Sequence, residues 1–143
     1  MNILVINGPN LNLLGTREPD VYGHETLSDI EKWLNDQAES DGHHIEWYQS
    51  NHEGNIIDRL HETMGNMDGI IINPGALTHY SFALRDAIAS VNIPTVEVHL
   101  SDIYNREVFR KVSVIKDVCI KQISGKGKSG YLIGLNKLIS LSE

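Results

Sequence analysis

The stretch Arg17-Glu-Pro-Asp-Val-Tyr22 sets a permanent cation close in sequence to a phenol. An unperturbed tyrosine has a pKa of about 10, so near pH 7 roughly one molecule in a thousand is ionised. A guanidinium within a few ångströms favours the phenolate, and arginine keeps its charge at any working pH. The pair therefore reads as a general base, set against the plainer reading of Tyr22 as a loop aromatic packed on the body. His99 closes an apolar run. It suits proton transfer at neutral pH; its plainer role is a core histidine bonded to backbone. Asn73-Pro74-Gly75 is a turn whose amide could also orient a ligand hydroxyl. His79 stands at a helix start, where it is either a ligand contact or a cap. Asp86 falls on a helix, where a surface charge is the ordinary reading.

Other constellations fail. His61-Glu62 opens a His-Glu-x-x-His motif, but residue 65 is glycine, and no other His, Cys or carboxylate spacing suits a metal. Gly8-Pro9-Asn10 lacks the second glycine of a dinucleotide fingerprint. Gly127-Lys128-Ser129 mimics the end of a phosphate loop, but Gln122 stands where glycine is required. No cofactor is expected.

The elements that must position these residues follow from periodicity. Ile3–Ile6 is a β-branched apolar run, the pattern of a buried strand, and it stops at Asn7-Gly8-Pro9. A long Asn- and Gly-rich loop follows, and long loops in compact domains are usually functional. Thr26-x-x-Asp29 reads as a capping box opening a helix whose apolar face is Leu27, Ile30, Leu34 and Ala38. Strands are expected over 44–50, 68–72, 94–100 and 118–123. Helices are expected over 55–64, with Ile56, Ile57, Leu60 and Met64 inward, and over 81–91 and 131–141. Residues 125–130 read as a flexible turn before the last of these. Strands alternating with helices imply a parallel sheet with helices on both faces. We read one domain over residues 1–143: an α/β, flavodoxin-like, doubly wound, five-stranded parallel sheet of order 2-1-3-4-5. The strands ending at Ile6, Ile72 and Leu100 then bring Asn10, Arg17 and Tyr22, Asn73 and His79, and His99 and Ser101 to one edge. Ligands sit there in such sheets.

A chain of 143 residues, 41% hydrophobic and 22% charged, has the composition of a soluble globular domain. The formal net charge of −7 argues against a nucleic-acid or anionic-membrane partner. An anionic ligand would have to be met by local arginines, and the sequence holds only five. Cys119 is the single cysteine, so no internal disulfide forms and a reducing cytoplasm is the expected location. The N-terminus shows no basic leader, and no apolar run is long enough to cross a membrane.

Four ordered blocks carry a family resemblance: Asn7-Gly-Pro-Asn-Leu-Asn-x-Leu-Gly-x-Arg17-x-Pro-x-x-Tyr22-Gly, Asn73-Pro-Gly-Ala-x-Thr-His79, Glu97-Val-His99-x-Ser101 and Arg106-x-x-x-Arg110. With these the chain resembles the type II 3-dehydroquinate dehydratases over nearly its whole length. The resemblance implies loss of water from 3-dehydroquinate to give 3-dehydroshikimate, without a Schiff base, in the shikimate pathway of aromatic amino-acid biosynthesis. It implies Tyr22 as the base, Arg17 as the group that keeps it ionised, and an enolate stabilised by a water that Asn10 positions. His99 would be the acid that protonates the departing hydroxyl. Asn73, His79, the backbone at Leu100, Ser101 and Arg110 would bind substrate, and Arg106 would support a closed loop. Residues 11–23 would form a lid. Asp86 would reach a neighbouring subunit's site in a dodecamer built from trimers. Asp102 and Val108 depart from residues common in the family, Asn and Pro; neither has a proton-transfer role in this scheme. Two other classes compete on the residues alone. One is a non-catalytic nucleotide- or phosphate-binding domain, which the failed glycine motifs and the acidic charge oppose. The other is a hydrolase using Ser101 and His99, which lacks a nucleophile elbow.

Overall fold

The computed structural model describes residues 1–16 and 18–143, and of Tyr22 the backbone alone. In chain order it runs β1 (Asn2–Asn7), α1 (Pro19–Tyr22), α2 (Leu27–Ser40), β2 (His44–Gln49), α3 (Glu53–His61), β3 (Gly69–Asn73), α4 (Phe82–Val91), β4 (Thr95–His99), β5 (Lys121–Ser124) and α5 (Ser129–Ser140). Every strand pairing is parallel, and the sheet order is β2-β1-β3-β4-β5. The expected flavodoxin-like architecture is therefore present. From β1 the chain moves outward to β2, then crosses back to β3, so the fold changes direction between β1 and β3.

The central strands are apolar on both faces because both faces are covered, as parallel sheets require. Ile3, Val5, Ile71, Val96 and Val98 pack under α2 and α5, with Leu34, Leu135 and Leu138. Leu4, Ile6, Ile70 and Ile72 pack under α3 and α4, with Ile56, Leu60, Leu84 and Ile88. Helix α5 lies close on the sheet because Gly130 and Gly134 face it: an added Cβ would sit 3.1 Å from Val98 and 3.3 Å from Val96 respectively. The capping box at α2 forms as expected, with Asp29 N–H donating to Thr26 Oγ1 at 3.1 Å and Thr26 N–H donating to the Asp29 carboxylate at 3.0 Å.

Three expectations need correction. The helix placed at 55–64 is α3, which spans Glu53–His61, so Met64 lies beyond its end and is 58% exposed rather than inward. The last strand spans Lys121–Ser124, not 118–123: residues Lys116–Val118 form a 3₁₀ turn. Val118 and Cys119 instead pack against the core on the α3/α4 face, and burial pushes the Cys119 thiol up to about 12. The final turn is shorter than expected, since α5 already begins at Ser129.

The expected lid has structure of its own. Leu11–Leu13 is a 3₁₀ turn, and α1 begins with Pro19 at its first position, where a proline's fixed φ suits a helix start. Leu11 and Leu14 are buried in the core, whereas Leu13 between them is 45% exposed. No described helix is long and apolar enough to cross a membrane.

Candidate active site

Strands β1, β3 and β4 end at one edge of the sheet, and a cleft of about 520 Å³, counting its open mouth, lies beyond them. It is lined by Asn10 and Leu11 after β1, by Asn73, Gly75, Ala76 and His79 at and after β3, and by His99, Leu100 and Ser101 at the end of β4. Arg106 and Arg110, from the segment that follows, complete it. The structure thus brings together Asn10, Asn73, His79, His99, Leu100, Ser101 and Arg110 of the residues expected there. Arg17 and the side chain of Tyr22 lie outside the described residues. Asp86 is exposed on α4 and does not line this cleft within the single chain.

Two turns build the near wall by touching backbone to backbone. Gly8 N–H donates to Asn73 O at 2.8 Å, and a Cβ on Gly8 would fall 2.4 Å from Pro74 O. Gly75 sits at φ 59°, a conformation that favours glycine. Asn10 also has positive φ, at 71°, and its N–H donates to Asn51 Oδ1 at 2.9 Å. Gln49 Nε2 donates to Gly8 O at 3.2 Å, so the end of β2 braces this turn.

His99 is buried at the end of β4, and two residues earlier on the same strand face lies Glu97, 0% exposed. Their Nε2 and Oε2 atoms are 2.5 Å apart. Glu97 also accepts from Thr78 Oγ1 at 2.6 Å, from Ser113 Oγ at 2.9 Å and from Gln122 Nε2 at 3.2 Å. Burial by itself raises a carboxyl pKa. Here the hydrogen bond and charge of His99, with the hydroxyls of Thr78 and Ser113, outweigh it and hold Glu97 below its ordinary value. An ionised carboxylate only accepts, so the His99 proton sits on Nε2, leaving Nδ1 as the ring's other nitrogen.

His79 has the opposite character. Its Nδ1 lies 2.7 Å from Val112 O, so that nitrogen carries the proton. Partial burial lowers its pKa, against the opposing pull of that carbonyl, so neutral His79 offers Nε2 as an acceptor. The Phe109 ring stands edge-on to it at 5.8 Å. Arg110 lies 4.8 Å over the Phe109 ring, and its Nε donates to Glu107 at 2.5 Å. Arg106 donates to Ser101 Oγ at 3.3 Å and approaches Glu18, at the edge of the lid segment, to 3.7 Å. Two guanidinium groups thus face the cleft of a chain that is acidic overall. Among the described residues no group of three His, Cys, Asp or Glu side chains could hold a metal.

Sequence reasoning gave Glu97 no role. The available signal was its position: a carboxylate two residues before His99 inside an apolar strand must share that histidine's face. Arg106, expected to support the closed loop, approaches Glu18 of that segment and also lines the cleft and donates to Ser101 Oγ. Thr78, Ser113 and Gln122 carried no signal, because their connection to Glu97 depends on the sheet's packing.

Comparison with known proteins identifies the family. Residues 1–139 match the model of the family described as dehydroquinase class II. The 3-dehydroquinate dehydratase of Thermotoga neapolitana is 51% identical over 143 residues, covering 100% of this chain and 97% of the relative. That of Halalkalibacterium halodurans is 55% identical over 137 residues, covering 96% and 94%. The crystal structure of type II dehydroquinase from Butyrivibrio crossotus superposes with a TM-score of 0.95 at 51% identity, covering 97% of each chain. With residues 1–139 matched by the family model and relatives more than half identical over nearly the whole chain, the chain belongs to the class II dehydroquinase family.

Proposed function

We propose that this protein is a 3-dehydroquinate dehydratase that removes water through an enolate, with Tyr22 as base and His99 as acid. The observation that carries the reading is the buried His99–Glu97 pair opening onto a cleft that also holds two arginines and several hydroxyl-binding groups. The substrate has a carboxylate, hydroxyl groups, and a ketone whose neighbouring carbon must lose a proton. Each needs a different partner, and the described lining of the cleft holds candidates for the carboxylate and the hydroxyls.

The carboxylate calls for cations or backbone donors, and Arg110 with the Leu100–Ser101 segment fills that role. Ring hydroxyls fall to Asn73 and to the Nε2 of His79. Arg17 keeps Tyr22 ionised, and the phenolate takes the proton beside the ketone. Negative charge then grows on the ketone oxygen, where a water positioned by Asn10 stabilises it. His99 must be protonated to finish the reaction. The carboxylate of Glu97 orients the ring by accepting from Nε2, so Nδ1–H is the donor toward the departing hydroxyl. The segment over residues 11–23 acts as the lid, carrying Arg17 and Tyr22 in and out together and excluding water when closed. Asp86, exposed on α4, acts on the site of a neighbouring subunit in a dodecamer of trimers. The product feeds the shikimate pathway in the cytoplasm.

A stepwise route separates the two proton transfers. In deuterated water, a His99→Gln enzyme should still exchange the substrate proton beside the ketone while losing elimination by about 100-fold or more. Tyr22→Phe should lose both reactions with little change in KM. Full elimination by His99→Gln, or exchange retained by Tyr22→Phe, would overturn the assignment.

A further inference from the structure

Asn7 and Asn73 are register neighbours at the carboxyl ends of β1 and β3. Both are buried, at 1% and 3% exposure. Between them comes a third polar group from the far end of the chain: the hydroxyl of Tyr131, on the first turn of α5 and 0% exposed. Tyr131 Oη lies 2.5 Å from Asn7 Oδ1 and 3.2 Å from Asn73 Nδ2. The remaining end of Asn73 is also occupied, since Gly75 N–H donates to its Oδ1 at 3.2 Å.

These contacts have one consistent direction. A backbone N–H can only donate, so Oδ1 is the atom of Asn73 that faces Gly75, and Nδ2 must face Tyr131. The tyrosine oxygen accepts from that amide, so its own proton goes to Asn7 Oδ1. Burial raises the Tyr131 phenol well above its ordinary value, and the proton stays in place. The amide nitrogen of Asn7 has no hydrogen-bond partner, so nothing competes for that residue's orientation from its other side. The relay uses one of the two Nδ2 hydrogens of Asn73 and leaves the other on a side chain that lines the cleft.

We propose that Tyr131 is a positioning residue for substrate recognition: its hydroxyl, anchored on Asn7, fixes the amide of Asn73 so that the amide's second hydrogen meets a substrate hydroxyl. The inference rests on the reading of Asn73 as a substrate contact. The geometry that permits it is the close seat of α5, where Gly130 precedes Tyr131 and faces Val98. A ring contact with Trp47, at 6.1 Å between centroids, holds the tyrosine from the side.

The test uses steady-state kinetics on Tyr131→Phe, Asn73→Ala and the double variant, with thermal melting of each. Tyr131→Phe keeps the ring and removes only the hydroxyl. It should raise KM about fivefold, the effect of one ordered hydrogen bond, with kcat within about twofold. Asn73→Ala should raise KM at least as much, and the double variant should match Asn73→Ala alone. Should Tyr131→Phe not fold, Asn7→Ala releases the same hydroxyl and should raise KM in the same non-additive way. Solvent exchange of the Asn73 side-chain amide, followed by NMR without substrate, should quicken about tenfold in either relay variant. Unchanged KM and exchange in the relay variants, with Asn73→Ala impaired, would overturn the role of Tyr131 and leave the site reading intact. Additive effects in the double variant would also overturn it. Unchanged KM in Asn73→Ala would remove Asn73 from the binding site and the proposal with it.

Discussion

Glu97 decides how the His99 ring is oriented, by accepting from its Nε2. A lone carboxylate at zero exposure would protonate, because burial disfavours its charge. The hydrogen bond and charge of His99, with the hydroxyls of Thr78 and Ser113, reverse that outcome here. Glu97→Gln should lower kcat by at least about tenfold, because an amide in place of the carboxylate no longer fixes the orientation of the His99 ring. Stability should respond as well. The folded pKa of Glu97 lies below 4.5, so its stabilisation is complete above that value and fades as pH falls through the lower folded value. Urea midpoints should therefore drop less steeply with acid in Glu97→Gln than in the wild type. His79 works from the other side. Its folded pKa is below 6.5, so the unfolded chain binds the extra proton, and stability declines as pH falls through and below that value. His79→Gln should flatten the decline between about pH 7.5 and 5.5, read by the same urea titrations. Residue types at strand ends made His99, Asn73 and His79 legible. Glu97 sat in plain view two positions away, but a carboxylate in an apolar run has no assignable partner until the sheet is folded.

The elements were legible where periodicity was strong and neighbours were covered. The opening strand and the helix over Leu27–Ser40 appear as expected, the latter down to its cap. Thr26→Ala should lose about 1 kcal/mol and about 3 °C in Tm, measured by calorimetry. The last strand was displaced because an edge strand pairs on one side only, and Val118 turns instead into the apolar layer beneath α4. Inside the loop, α1 went unread because four residues make no periodic pattern. The two turns beyond β1 and β3 behave as one element, since Gly8 meets Pro74 through backbone. Gly8→Ala forces that contact apart. It should cost about 1–3 kcal/mol in chemical unfolding and raise KM, since Asn10 and Asn73 ride on the two turns.

At the scale of the molecule, an acidic chain keeps two of its five arginines at one cleft, so charge is arranged locally against the overall balance. The fold's change of direction between β1 and β3 explains why the cleft lies there. Large apolar side chains are exposed near its rim: Tyr80, Phe82, Val108 and Phe109. Such a surface suits contact with other subunits. The native mass should therefore be a large multiple of the 16.0 kDa chain, read by light scattering. Assembly was never legible in periodicity or spacing, which carry information about one chain's core and none about its copies. The central claim is the reaction itself. Purified protein mixed with 3-dehydroquinate should produce the ultraviolet absorbance of a conjugated enone, and borohydride added during turnover should trap no covalent adduct. No rise in absorbance at any enzyme concentration would contradict the account.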